Sequence, residues 1–129
     1  MRKLTKSLLL DLHKSIATNG QRGEFSNDRW TLTWRFGTRR IENAAREGVF
    51  SIHNITLAGQ SRGQGYLTEL LRHIDECPHL GGRRFGWVYL EQVNFRLAGH
   101  LGRELQYKAD HGLVIDCWRQ VTGQLEMKL

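Results

Sequence analysis

Proline is almost missing from this chain: Pro78 is the only one in 129 residues. No low-complexity run accompanies it, so the composition argues against long disorder. Cysteine is nearly as scarce. Cys77 and Cys117 are too few for a disulfide scaffold, and the expectation is two reduced, partly buried thiols. No apolar run approaches the ~20 residues that a membrane span needs. The opening "MRKLTKSLLLDLHK" superficially resembles a signal peptide. Its apolar run, Leu8 to Leu10, is broken by Asp11, and no small-residue cleavage site follows. It reads as a helix of the mature protein, and the setting this predicts is cytoplasmic.

Acidic residues are in deficit. Thirteen Asp and Glu stand against 19 Lys and Arg, a formal net charge of +6. The basic residues are scattered, with small pairs at Arg39–Arg40 and Arg83–Arg84 and no basic tail. An anionic partner is implied, and the charge alone leaves nucleic acid, a phosphorylated cofactor and an acidic protein open. The length and the hydrophobic fraction of 40% fit one domain, residues 1–129, with one core.

Periodicity then orders the chain. Leu4, Leu8, Leu12 and Ile16 mark one face of a helix over 3–18, stopped by Asn19–Gly20. Residues 21–28 are polar and read as a loop. In "RWTLTWRF", Trp30, Leu32, Trp34 and Phe36 alternate with polar residues, the pattern of a half-buried strand. Residues 37–48 read as an irregular hairpin arm. "VFSIHNITLA", 49–58, puts Phe50, Ile52, Asn54, Thr56 and Ala58 on one side. Ile55 and Leu57 on the other side predict an inner strand covered on both faces. Leu67, Leu70, Leu71 and Ile74 give a second helix, ending near Pro78, and "HLGGRR" reads as a loop. A strand over 85–93 follows. Asn94 is a plausible N-cap for a third helix with Leu97, Leu101 and Leu105 at helical spacing. "GLVIDCWRQV", a Thr122–Gly123 turn and "QLEMKL" read as two antiparallel strands. The sum is one α/β domain with a mixed sheet.

The chemistry-bearing stretch is "QSRGQG", 60–65, between the inner strand and the second helix. A helix N-terminus exposes unpaired N–H groups, and glycines let an anion approach them closely. The stretch has neither the Lys-Ser/Thr pair of a P-loop nor a dinucleotide fingerprint. Gln60-x-x-Gly63-x-Gly65 between strand and helix resembles the acyl-CoA signature of the GNAT superfamily of N-acetyltransferases. "VYLEQVNFRLAGHLGRELQYK", 88–108, is similar to that family's next strand and helix, so the resemblance covers roughly residues 49–121.

That resemblance implies a mixed, mostly antiparallel central sheet flanked by helices, with a V-shaped splay between the strands at 49–58 and 85–93. It implies acetyl-CoA as co-substrate, no metal, and direct attack by an amine of a small molecule or a protein. Backbone amides of Ser61, Arg62, Gly63, Gln64 and Gly65, with the helix starting near Tyr66, would hold the pyrophosphate. Gln60 opens the signature, and the Arg62 side chain would add charge. The strand ending at Leu57 and Ala58 would pair with the pantetheine arm, and Asn94 and Arg96 would lie on its other side. Many relatives place a tyrosine acid at the position of Gly102, and here Gln106 replaces the glycine that closes the motif. The family usually opens with a strand, whereas this chain opens with a helix, which implies a truncated sheet; such a compact form resembles small GNAT-like proteins encoded by bacteriophages. Many relatives dimerise through the final strands.

An ammonium must lose a proton before it attacks, so a base is needed within reach. Glu91, near the end of its strand, and His53, inside the strand before the turn, are the candidates. Glu91 also reads as a surface carboxylate, and His53 as a hydrogen-bonded core histidine. Arg39, Arg40, Arg83 and Arg84 are expected to border the acceptor pocket. His73, Cys77 and His79 lie close in sequence, but their spacing matches no common zinc site. Four tryptophans and the positive charge would allow base stacking on a nucleic acid, the lesser expectation. A non-catalytic module that binds CoA, a host protein or nucleic acid is the alternative to the enzyme.

Overall fold

Twelve- and fourteen-residue runs of alternating character build the centre of the fold. In the computed structural model, which describes residues 1–28, 30–57 and 65–121, they form β2 (Trp30–Ile41) and β3 (Ala44–Leu57). These strands pair antiparallel through a two-residue turn, Glu42–Asn43, in which both residues have positive φ. That is the turn whose twist matches a β-hairpin, and the arm is irregular as expected, because the register slips between Gly37 and Arg39. α1 (Lys3–Asn19) precedes β1 (Arg22–Ser26), and β1 pairs with β2 at the sheet edge. Residues 22–26 are therefore a strand rather than the expected loop. An edge strand can stay polar because only one residue, Phe25, packs against the core.

After β3 come α2 (Tyr66–Glu76), the short pair β4 (His79–Leu80) and β5 (Arg83–Arg84), and β6 (Trp87–Val93). "HLGGRR" is thus a small hairpin whose turn glycines, Gly81 and Gly82, have positive φ. β6 lies parallel to β3, as a helical crossover requires. α3 (Phe95–Leu105) starts at Asn94, whose side-chain oxygen accepts from the Leu97 N–H at 2.7 Å, as the sequence predicts. The closing hairpin is β7 (Lys108–His111) and β8 (Ile115–Gln120), with β8 inserted between β6 and β7. It sits earlier in the chain than expected, because "KADH" supplies one arm and Leu113–Val114 the connection. "QLEMKL" lies outside the described residues. The main sheet has the order β1-β2-β3-β6-β8-β7, a mixed and mostly antiparallel α+β arrangement.

One face of this sheet carries the core. Trp30, Leu32, Trp34 and Phe36 of β2 meet Phe50 and Ile52 of β3 and Val88 and Leu90 of β6. Leu8, Leu12 and Ile16 of α1, Leu70, Leu71 and Ile74 of α2, and Leu101 and Leu105 of α3 cover them. Full burial of each such side chain stabilises the fold by about 1.5–3 kcal/mol. The opposite face holds only a small cluster, Ile41, Val49 and Tyr89 with Trp87 and Trp118 beside it. β3 is accordingly covered fully on one face only, not on both. Trp30 and Trp34 are core residues at 3% and 1% exposure, so neither can stack on a nucleic-acid base.

Candidate functional site

Two polar residues interrupt the alternation, and both adopt the left-handed conformation that L-residues rarely take. Asn54 in β3 has φ 55° and Gln92 in β6 has φ 55°. At each, the register with the outer neighbour slips by one: Thr33 opposes His53 but Thr31 opposes Thr56, and Leu90 opposes Cys117 but Val93 opposes Ile115. These are β-bulges, and a bulge bends its strand. Beyond each bulge the facing reverses. Ile55 and Val93 turn to the core, while Asn54 and Thr56 are exposed. The expected common side for Phe50, Ile52, Asn54 and Thr56 therefore breaks at Asn54.

The bulges matter because of where they sit. The parallel pairing of β3 and β6 runs from Val49–Trp87 to Ile52–Leu90 and goes no further. Past that point a cavity of about 230 Å³ lies between the strands. Its apolar lining comes from Ile52, Ile55, Leu67, Leu90, Val93 and Leu97. Amide and hydroxyl groups come from Asn54, Thr56, Gln92 and Asn94, and Glu91 adds a carboxylate. Leu67 belongs to α2 and Leu97 to α3, so the first turns of both helices border the slot.

A second cavity, about 520 Å³, lies on the face away from the helices. Arg22 and Gly23 of β1, Thr33 to Arg35 of β2, Ser51 and His53 of β3, and Glu91 of β6 line it. Glu91 borders both cavities. Its Oε1 accepts from Arg39 Nη2 at 3.2 Å, and its Oε2 stands 3.9 Å from His53 Nδ1. The latter is too long for a direct hydrogen bond. His53 Nδ1 is shielded from solvent and has no hydrogen-bond partner. Arg39 lies 3.8 Å from the Tyr89 ring centre, and the Tyr89 hydroxyl donates to Asp116 Oδ2 at 2.6 Å. Burial first, then the Asp116 carboxylate, pushes the Tyr89 hydroxyl up to about 12, so it stays protonated. Asp116 Oδ1 also accepts from the Gln92 N–H at 3.0 Å, which fastens the β6 bulge. A connected row of side chains, Asp116, Tyr89, Arg39 and Glu91, thus leads to His53.

No protein-family model matches the chain, and no curated protein matches it either.

The residues predicted from the sequence divide three ways. The structure brings Glu91 and His53 together and sets Asn94 in the slot. Ala58, Gln60, Ser61, Arg62, Gly63 and Gln64 lie outside the described residues, and of Leu57 only its place at the end of β3 is described. Gly65 is the N-cap of α2 with φ 79° and ψ 12°, a left-handed turn that glycine takes without penalty. Tyr66 starts the helix and packs edge-on to Trp30. Arg96 is exposed on α3 and lines neither cavity.

Of the arginine pairs expected around the acceptor pocket, only Arg39 touches a cavity-lining residue. Arg39 holds Glu91, Arg40 donates to the Asn43 carbonyl, and Arg83 and Arg84 form β5. None of the four lines either cavity. Gly102, the position that the resemblance matches to a tyrosine, faces the Tyr107 carbonyl. His100 on α3 is bonded to Thr68 on α2 at 2.8 Å. Tyr107 is itself buried, with its hydroxyl unpartnered and burial raising its pKa. Gln106 has φ 58°, a left-handed C-cap position that favours glycine.

Sequence reasoning missed Arg2. Its guanidinium lies 4.0 Å from the Tyr66 ring centre and pairs with Glu69 at 2.8 Å, putting positive charge beside the start of α2. The hydrogen bond from the Arg2 N–H to Glu69 holds that carboxyl down at about 2. No local pattern near the N-terminus signals this contact. Among the described residues no group of three or more His, Cys, Asp or Glu side chains could hold a metal ion. No helix among them is long and apolar enough to cross a membrane.

Proposed function

We propose that this chain is a single-domain N-acetyltransferase of the GNAT type, which transfers an acetyl group from acetyl-CoA to an amine in a ternary complex. The observation that carries the reading is the slot between β3 and β6. Two parallel strands part there because each bulges at a left-handed residue, and the helix that follows the first of them begins at a left-handed glycine. The slot suits the pantetheine part of acetyl-CoA: a narrow apolar channel edged by Asn54, Thr56, Gln92 and Asn94, which can hydrogen-bond amides. The Gly-rich stretch leading into the first turn of α2 suits an anion.

Acetyl-CoA supplies the activated acyl carbon. The amine nitrogen forms the C–N bond as the C–S bond breaks, and the electron pair leaves on sulfur. Glu91, between the two cavities, takes the proton that the amine gives up, with His53 placed to receive it next. Arg39 orients the carboxylate by holding its other oxygen. The thiolate takes its proton from water, since Gly102 offers no acid.

Calorimetric titration with acetyl-CoA and with CoA tests the reading. Micromolar binding is expected, lost in Gly63→Glu, and Glu91→Gln should lower turnover at least about 100-fold without loss of acetyl-CoA affinity. A folded protein that binds neither ligand refutes it. Binding without turnover of any amine favours the second reading, a non-catalytic CoA-binding module, for which the empty acid position at Gly102 speaks.

A further inference from the structure

Arg22 and Arg35 face each other across β1 and β2 in direct register. Both side chains lie on the open face of the sheet. Gly23 directs its missing Cβ at the Trp34 indole on the core side, and Arg22 and Arg35 alternate with these two residues. Like charges placed directly opposite in an antiparallel pair repel and destabilise the sheet. Neither arginine has an ion pair or a hydrogen bond to its side chain among the described residues. Arg2, Arg39, Lys108 and Arg119, by contrast, each pair with a carboxylate. Arg22 and Arg35 both line the larger cavity, on the strands furthest from Glu91.

The floor between the two ends is made of small side chains. Thr33 opposes His53, and Ser51, opposite Arg35, is buried at 4% exposure. Strands lie about 4.8 Å apart, and Glu91 stands two residues further along β6 than Tyr89, the residue in line with Arg35 through Ser51, so the backbones of Arg35 and Glu91 are about 12 Å apart. The two arginines and Glu91 line one cavity from different strands, so an amine and an anion several bonds apart would be needed to engage both ends. A volume of about 520 Å³ falls within the range for a small molecule.

We propose that this cavity is the acceptor pocket, and that its substrate is a small primary amine carrying a carboxylate or phosphate several bonds from the nitrogen. The Arg22–Arg35 pair binds the anion in the two-pronged geometry guanidinium groups favour. The ammonium end lies at Glu91 and His53, beside the slot. The anion removes the repulsion between the arginines, so binding and sheet-edge stability are linked. The inference rests on the acetyl-transfer reading for the fate of the amine, but not for the binding itself.

The test uses the intact chain and three matched probes: 6-aminohexanoate, its uncharged amide, and 5-aminopentyl phosphate. Binding is measured first by calorimetry without any cofactor, then KM and kcat with acetyl-CoA. One or both anionic probes should bind at least tenfold tighter than the amide, and the tighter of the two identifies the anion. In the double variant Arg22→Gln/Arg35→Gln that preference should fall at least tenfold, through KM rather than kcat. The variant should fold, because both side chains are exposed and their mutual repulsion is removed. Equal binding of the amide and both anions by the wild-type chain overturns the proposal, as does a preference that survives the double substitution. Arginine-dependent binding of an anionic amine by a chain that ignores acetyl-CoA upholds the pocket and refutes the transferase reading. Transfer to the amide as readily as to both anions does the reverse.

Discussion

Asp116 ties the two sides of the β6 bulge together, and its removal tests whether the bulge depends on it. Asp116→Ala deletes two hydrogen bonds to a charged acceptor, one from the Tyr89 hydroxyl at 2.6 Å and one from the Gln92 N–H at 3.0 Å. Such bonds contribute about 1.5–3 kcal/mol each. Asp116 is only half-buried and water replaces part of what is lost, so about 2 kcal/mol in total is the expected cost. For a domain of this size that lowers Tm by roughly 8 °C. Tyr89 reports on the same event. Its hydroxyl, held at about 12 by burial and Asp116, should titrate closer to its ordinary value of 10.0. A raised tyrosine pKa stabilises the fold fully below the unfolded value near 10, and that contribution fades as pH rises toward 12. The variant should therefore lose less stability than wild type between those limits. Urea unfolding and an absorbance titration of tyrosinate measure both effects. Asp116→Asn, which keeps shape but not charge, should fall between the two proteins. An unchanged urea midpoint together with an unchanged tyrosine titration would refute the reasoning.

Two further outcomes are expected. Gln106→Gly removes a side chain from a left-handed C-cap and should stabilise the chain by about 1 kcal/mol, read from the urea midpoint; no gain would mean that Gln106 makes up the difference through contacts of its own. His13 is held below its ordinary 6.5 by burial, His79 and His73, and its Nδ1 accepts from the Gly81 N–H. Below about pH 6.5 the unfolded chain takes up a proton that the folded chain resists, so stability should fall between pH 6.5 and 5, with a shallower slope in His13→Gln, measured by unfolding at fixed pH values.

Much of the fold was legible because it rests on periodicity. The leucines of α1, the alternation of β2 and the Asn94 cap each appear where the sequence puts them. What misled was polarity at edges and symmetry within strands. β1 and β7 are edge strands, which need few apolar residues, so "RGEFS" and "KADH" carry little strand signal. β3 reads as covered on both faces because its bulge at Asn54 switches the apolar side midway. An asparagine is tolerated in that conformation, which is a weak hint, but Gln92 gives none. The nearness of Glu91 and His53 was readable only as two candidates on separate strands. Their approach depends on the parallel pairing of β3 and β6, which no local pattern encodes. Arg22 and Arg35 were invisible for the same reason, since the first lay in a presumed loop.

The four residue pairs that join β3 to β6 also have a kinetic meaning. β1 to β3 close by hairpins with neighbouring sequence, as do β7 and β8, and such contacts form quickly. The parallel seam forms only after the whole crossover through α2 has folded, and its non-local contacts repay that loop closure last. Both cavities lie along this seam. The amides of β3 and β6 that bond across this seam should then exchange with solvent through openings smaller than global unfolding, leaving the β2–β3 hairpin intact. A ligand that bridges the two leaves would slow that exchange, so a hydrogen-exchange map could reveal a true ligand before any reaction is known.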